Sequence, residues 1–161
     1  MLWDQHRVRY EVGGVTVRFV TYTKFMEIVR ASEITDADMA AIGRLNAKRQ
    51  SGDTLNQEET DRLTALAARW PLDELRGACL VPPRTAQETR DLLASMPRRE
   101  SEELETILDK CAGPDIDKDD VADPLALALI RTGGLGIDMA DMTAGQGMAV
   151  AEILGGGQRW P

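Results

Sequence analysis

The chain has 161 residues, of which 43% are apolar, 29% charged and only 4% aromatic, and its formal net charge is −8. That aliphatic share excludes wholesale disorder, and no run approaches the roughly 18 apolar residues that a membrane-spanning helix needs. Two cysteines, Cys79 and Cys111, exclude a disulfide scaffold and make a reducing cytoplasm the default. The opening MLWDQHRVRY carries no apolar signal segment. A cytoplasmic protein that neither crosses nor rests on a membrane is the expectation.

The charge is unevenly spread. Residues 1–50 hold 8 basic and 6 acidic side chains, residues 51–110 hold 8 and 13, and residues 111–161 hold 3 and 8. Nucleic-acid binding needs clustered Lys and Arg that neutralise phosphates and release counterions. The only local basic excess is Arg7, Arg9 and Arg18, so no nucleic-acid partner is expected.

The first element in chain order is HRVRYEV-GG-VTVRFV, residues 6–20. Apolar and polar residues alternate on both sides of Gly13-Gly14, which predicts a β-hairpin with a two-residue turn. Glycine at both central positions permits the positive φ angles of such turns. The implied register opposes Val12 to Val15, Tyr10 to Val17 and Val8 to Phe19 on one apolar face. A one-residue slip would expose that whole set. Because a lone hairpin is marginal in water, the face must rest on helices or on a partner's sheet.

From Thr21 the period becomes helical. Phe25, Ile28 and Val29 predict a helix over 22–31, and Thr35 caps a second through Met39, Ile42 and Leu45 to Gly52. Asn56 with Glu59 opens a third, whose apolar line is Leu63, Leu66, Ala67 and Trp70 and which Pro71 stops. A short helix with Leu72, Leu75, Ala78 and Leu80 follows, then an extended Val81-Pro82-Pro83 connector. Thr85 with Glu88 starts a helix over 86–96. A narrow seam of Leu104, Ile107, Leu108 and Cys111 marks another from about Glu100 to Ala112, ended by Gly113-Pro114.

Residues 115–123 are acidic and poor in apolar side chains, as a linker is. Asp123-Pro124 then starts an aliphatic helix containing Leu125, Leu127, Leu129 and Ile130. Thr143 with Gln146 caps a last helix to Leu154. The predicted architecture is mainly α: an N-terminal hairpin on a multi-helix body (1–113), an acidic linker (114–123) and a small C-terminal helical subdomain (124–161).

No constellation passes the requirements of a catalytic, metal or cofactor site. Asp115, Asp117 and Asp119 are spaced like the first ligands of a calcium loop, but Asp120 and Ala126 stand where its glycine and closing glutamate belong. The glycines near the C-terminus lack the Lys-Ser/Thr of a phosphate loop, and Gly145-x-Gly147 is followed by Val150 where the dinucleotide fingerprint needs glycine. His6 is the only histidine and is read at a strand edge, and Cys79 lies in the apolar run LRGACLVP. The pairs Glu58/Asp61 and Glu102/Glu105 fall on polar helix faces. Met139, Met142 and Met148 fit either a core or an adaptable binding surface.

The run Tyr10-Glu11-Val12-Gly13-Gly14-Val15-Thr16-Val17-Arg18-Phe19, followed by Phe25-Met26-Glu27-Ile28, resembles the tail assembly chaperones of long-tailed bacteriophages. An aliphatic helix, a glycine break and a small last helix also look like phage proteins of this type. The resemblance implies a protein without catalytic activity, cofactor or metal that coats the apolar tape-measure protein until tail-tube subunits polymerise around it. It also implies a longer frameshifted form, for which Gly155-Gly156-Gly157 offers a place. The partners so implied are other phage tail proteins, and a homo-oligomer is compatible with it. The contact residues expected are Val8, Tyr10, Val17 and Phe19 on the hairpin face, with Leu129, Leu135, Met139, Met142, Met148 and Ile153 in the C-terminal segment. Two alternatives stand beside this reading: a virion component, such as a head–tail connector or tail subunit that extends a neighbour's sheet, and an acidic protein that imitates DNA.

Overall fold

Local side-chain chemistry places most helix starts. Thr35, Asn56 and Thr85 each accept the backbone N–H three residues on, while Asp38, Glu59 and Glu88 accept the N–H of the cap itself. These reciprocal bonds satisfy donors that a bare helix end leaves open. They also hold the three carboxyls below the usual carboxylate range, the backbone N–H being the chief cause in each case.

The computed structural model describes residues 2–114 and 140–154. Within them the architecture is mainly α-helical with an N-terminal β-hairpin. A 3-10 turn, Leu2–Arg7, leads into β1 (Tyr10–Val12) and β2 (Val15–Val17). Helices α1 (Tyr22–Ala31), α2 (Asp36–Gln50), α3 (Gln57–Arg69) and α4 (Leu72–Ala78) follow. After β3 (Leu80–Val81) come α5 (Ala86–Ser95), α6 (Arg98–Cys111) and α7 (Ala144–Leu154).

The hairpin has the predicted register: Tyr10 opposes Val17, Glu11 opposes Thr16 and Val12 opposes Val15. Gly13 and Gly14 both have positive φ, +56° and +81°. Three expectations are corrected. Residues 6–9 are not strand: the chain curls into the N-terminal turn, where Val8 N–H donates to the Gln5 carbonyl and the Arg9 guanidinium donates to the carbonyls of His6 and Val8. The Val8–Phe19 pair is therefore absent from the ladder. Leu80 is not helical either, because Leu80–Val81 pairs antiparallel with β2 and completes a three-stranded sheet. Ala67, expected on the buried line of α3, is exposed, and Leu66 is the buried residue of that helix.

The segment after β2 is held from several sides. Arg18 N–H donates to the Cys79 carbonyl (2.8 Å) and Val20 N–H to that of Cys111 (3.0 Å). Tyr22 N–H donates to the Met142 carbonyl (2.7 Å), and Ala144 N–H to that of Val20 (2.9 Å). Enclosure on both sides explains why Phe19 and Val20 are buried in succession, against strand alternation. They join one core with Val12, Val17, Phe25, Val29, Leu75, Leu80, Leu104 and Leu108. Ala144 and Met148 belong to the same core, so α7 packs with the body, against α1 and the N-terminal turn. Helices α2 and α3 pack on each other, and Ala41, Leu45 and Leu66 are their buried residues.

Two helix contacts depend on a missing side chain. A Cβ on Gly147 would run into the Tyr22 side chain of α1, and one on Gly77 would meet the Arg84 carbonyl and the Thr89 hydroxyl beside α5. Gly77 carbonyl also accepts the Arg84 N–H (3.0 Å), which fixes this approach. Alanine ordinarily gains about 1 kcal/mol over glycine within a helix, but overpacking against backbone costs about 1–3 kcal/mol. Gly77→Ala is therefore expected to lower stability. Gly43→Ala, at an exposed helical site with nothing within 4 Å, is expected to raise it. Paired urea melts check the opposite signs.

Candidate functional site

The expected contact residues fall into three groups. Val17, Phe19, Met142 and Met148 are buried in the protein's own fold, at 6% exposure or less. In this fold the four turn toward the chain's own interior: α6 lies against β1 and β2, and the 140–144 segment is bonded to residues 20–22 just beyond the hairpin. Val8 and Tyr10 are half-buried at its margin, where the Tyr10 ring packs on Phe19 and carries the Lys110 ammonium 5.4 Å above its centre. Leu129, Leu135 and Met139, with the linker, the aliphatic helix and Gly155-Gly156-Gly157, lie outside the described residues, as does the Ile153 side chain. Among the described residues, Leu72 and Val81 are the large apolar side chains most open to solvent, at 39% and 44%.

The residues weighed for catalysis are dispersed. Cys79 and Cys111 are buried free thiols. Desolvation pushes the Cys111 thiol up to about 12, and desolvation with the neighbouring Cys111 pushes Cys79 far up as well. Neither is poised as a thiolate nucleophile. Asp61 accepts from the Gln57 amide, Glu102 from Arg98, and Glu105 pairs with Arg76. Among the described residues no group of three His, Cys, Asp or Glu is placed to hold a metal ion.

Two polar constructions organise the molecule. Arg76 of α4, whose side chain is only 10% exposed, reaches Asp109 (2.7 Å) and Glu105 (3.2 Å) on α6. A guanidinium so enclosed needs both carboxylates to satisfy its donors. The second joins the two ends of the described chain. Thr143 and Gln146 form the predicted reciprocal cap: Gln146 N–H donates to Thr143 Oγ1 (3.2 Å), and Thr143 N–H to Gln146 Oε1 (3.0 Å). Both side chains also reach the N-terminal turn. Thr143 Oγ1 donates to Gln5 Oε1 (2.9 Å), and Gln146 Nε2 lies 2.9 Å from His6 Nδ1.

His6 therefore lies at the end of the N-terminal turn against α7, not at a strand edge. Sequence reasoning found the Thr143–Gln146 cap and missed its partners. The cap is a local spacing signal, whereas His6 and Gln146 are 140 residues apart and no periodicity connects them.

Set against protein-family models, curated proteins and solved structures, the chain matches none of them. Among the described residues, no helix is long and apolar enough to cross a membrane.

Proposed function

We propose that the protein is a tail assembly chaperone of a long-tailed phage or prophage, which binds the helical tape-measure protein in the host cytoplasm and keeps it soluble. It performs no chemistry and uses no cofactor or metal. One observation carries the reading: the segment bearing the resemblance, Tyr10–Phe19, folds as a Gly-Gly hairpin and leads directly into α1 on a helical body. The net charge of −8 adds to it, since an acidic outer surface keeps a coated, aggregation-prone polypeptide dispersed. The same charge argues for a protein partner over nucleic acid. Of the expected hairpin contacts, the reading keeps Val8 and Tyr10, because Val17 and Phe19 are occupied internally.

The test is co-expression with the longest helical reading frame beside its gene, followed by centrifugation and size-exclusion chromatography. The tape-measure protein is expected to stay soluble in a complex with this chain, and the chain to be missing from purified particles by electron microscopy and mass spectrometry. Finding it as a stoichiometric part of particles would replace the reading with that of a virion component. Strong, salt-sensitive binding to a basic nuclease, with no effect on the tape-measure protein, would replace it with DNA imitation.

A further inference from the structure

We propose that the N-terminal turn is a pH-gated clasp, held on helix α7 by neutral His6 and released when that imidazole takes up a proton. The hydrogen bonds around the Gln146 amide point to the protonation state. The Thr143 N–H donates to Gln146 Oε1, so the amide group turned toward the imidazole is the Nε2 amine, which only donates. His6 Nδ1 must then accept, and the ring is neutral with its proton on Nε2. A second proton, on Nδ1, would set donor against donor. Turning the amide over would offer an oxygen to the imidazolium but would set the amine against the Thr143 N–H, and the helix cap would be lost instead. Either way one bond between the turn and α7, or one inside the cap, breaks.

The surroundings favour the neutral ring. Asp4 and Arg7 on the same turn, Arg9 just beyond it and Asp141 before α7 face the imidazole. From Ala144 to Ala151, α7 itself contributes no charged side chain. Desolvation is the leading influence, Arg7 the next, and together they hold His6 below its ordinary value of 6.5. The sign follows by linkage. Above 6.5 the docked and undocked states are both neutral and the clasp contributes fully. As pH falls through 6.5, the undocked state takes up the proton first, so docking weakens progressively.

Hydrogen exchange read by mass spectrometry, corrected for intrinsic rates, tests this at about pH 7.5 and about pH 5.5, a span across which an imidazole titrates. The full chain is expected to lose protection over residues 2–9 and 144–151 at the lower pH, while residues 98–111 keep theirs. His6→Asn places an amide oxygen near the position of Nδ1, and its protection is expected to be the same at both values. Nitrogen NMR of the single histidine gives a second readout. It should report the Nε2–H form at high pH and a titration midpoint that coincides with the loss of protection. Protection in the parent unchanged by pH, a pH step retained in His6→Asn, or an Nδ1–H tautomer would each overturn the clasp.

Discussion

Phe19→Asp is expected to abolish the cooperative fold, or to leave a protein whose hairpin is undocked. The phenyl ring is 6% exposed, packs on Tyr10 at 6.4 Å between centroids and belongs to the core that joins the hairpin to the helices. Removing a buried aromatic costs about 3–5 kcal/mol, and an unpaired carboxyl in its place adds roughly 1–3 kcal/mol even when it protonates. The sum rivals the roughly 5–15 kcal/mol of a typical domain. Phe19→Leu keeps the apolar contact and should cost far less, which separates the charge from the loss of the ring. Circular-dichroism melts decide it. A Phe19→Asp transition superimposable on the parent would place residue 19 on the solvent side and refute the core described above.

The second large effect is expected at Phe25, on the opposite side of the sheet-to-helix junction. Its side chain is fully buried on α1, and its ring meets Trp70, the residue that closes α3, at 6.1 Å and 56°. Phe25→Ala should cost about 3–5 kcal/mol through lost transfer energy and an unfilled cavity. For a chain of this size that lowers the melting temperature by roughly 10 °C or more. Trp70 is half-buried against the ring. Its fluorescence should shift toward the red as solvent enters, in native buffer and before the melt begins. A stability change under 1 kcal/mol would mean that neighbours close the gap, and that the Phe25–Trp70 contact is not what joins α1 to the end of α3.

What could be read from the chain divides by distance. Helix starts at Thr35, Asn56, Thr85 and Thr143 are visible because a cap and its partner lie three residues apart. The hairpin register is visible because alternation and a Gly-Gly turn leave one pairing that buries the apolar set. The two-residue strand Leu80–Val81 is not, since it is too short to show a period and its partner is some 64 residues earlier. The N-terminal turn was disguised as strand by the chance alternation of His6, Arg7, Val8 and Arg9. The inward turn of Val17, Phe19, Met142 and Met148 was hidden for a different reason. An apolar face states that something covers it, and says nothing of whether the cover is a partner or the chain itself. Met142 and Met148 show the second outcome.

The threading of Arg18–Tyr22 between Cys79, Cys111 and Met142 has a kinetic corollary. Those backbone bonds close loops of about 60, 90 and 120 residues, and closing long loops is what slows a folding reaction. A chain this rich in helix would otherwise be expected to fold fast. During synthesis, the segment after β2 has no finished surroundings until the residues around position 142 have left the ribosome, so the newborn N-terminal third waits, greasy side uppermost, for α7 to arrive.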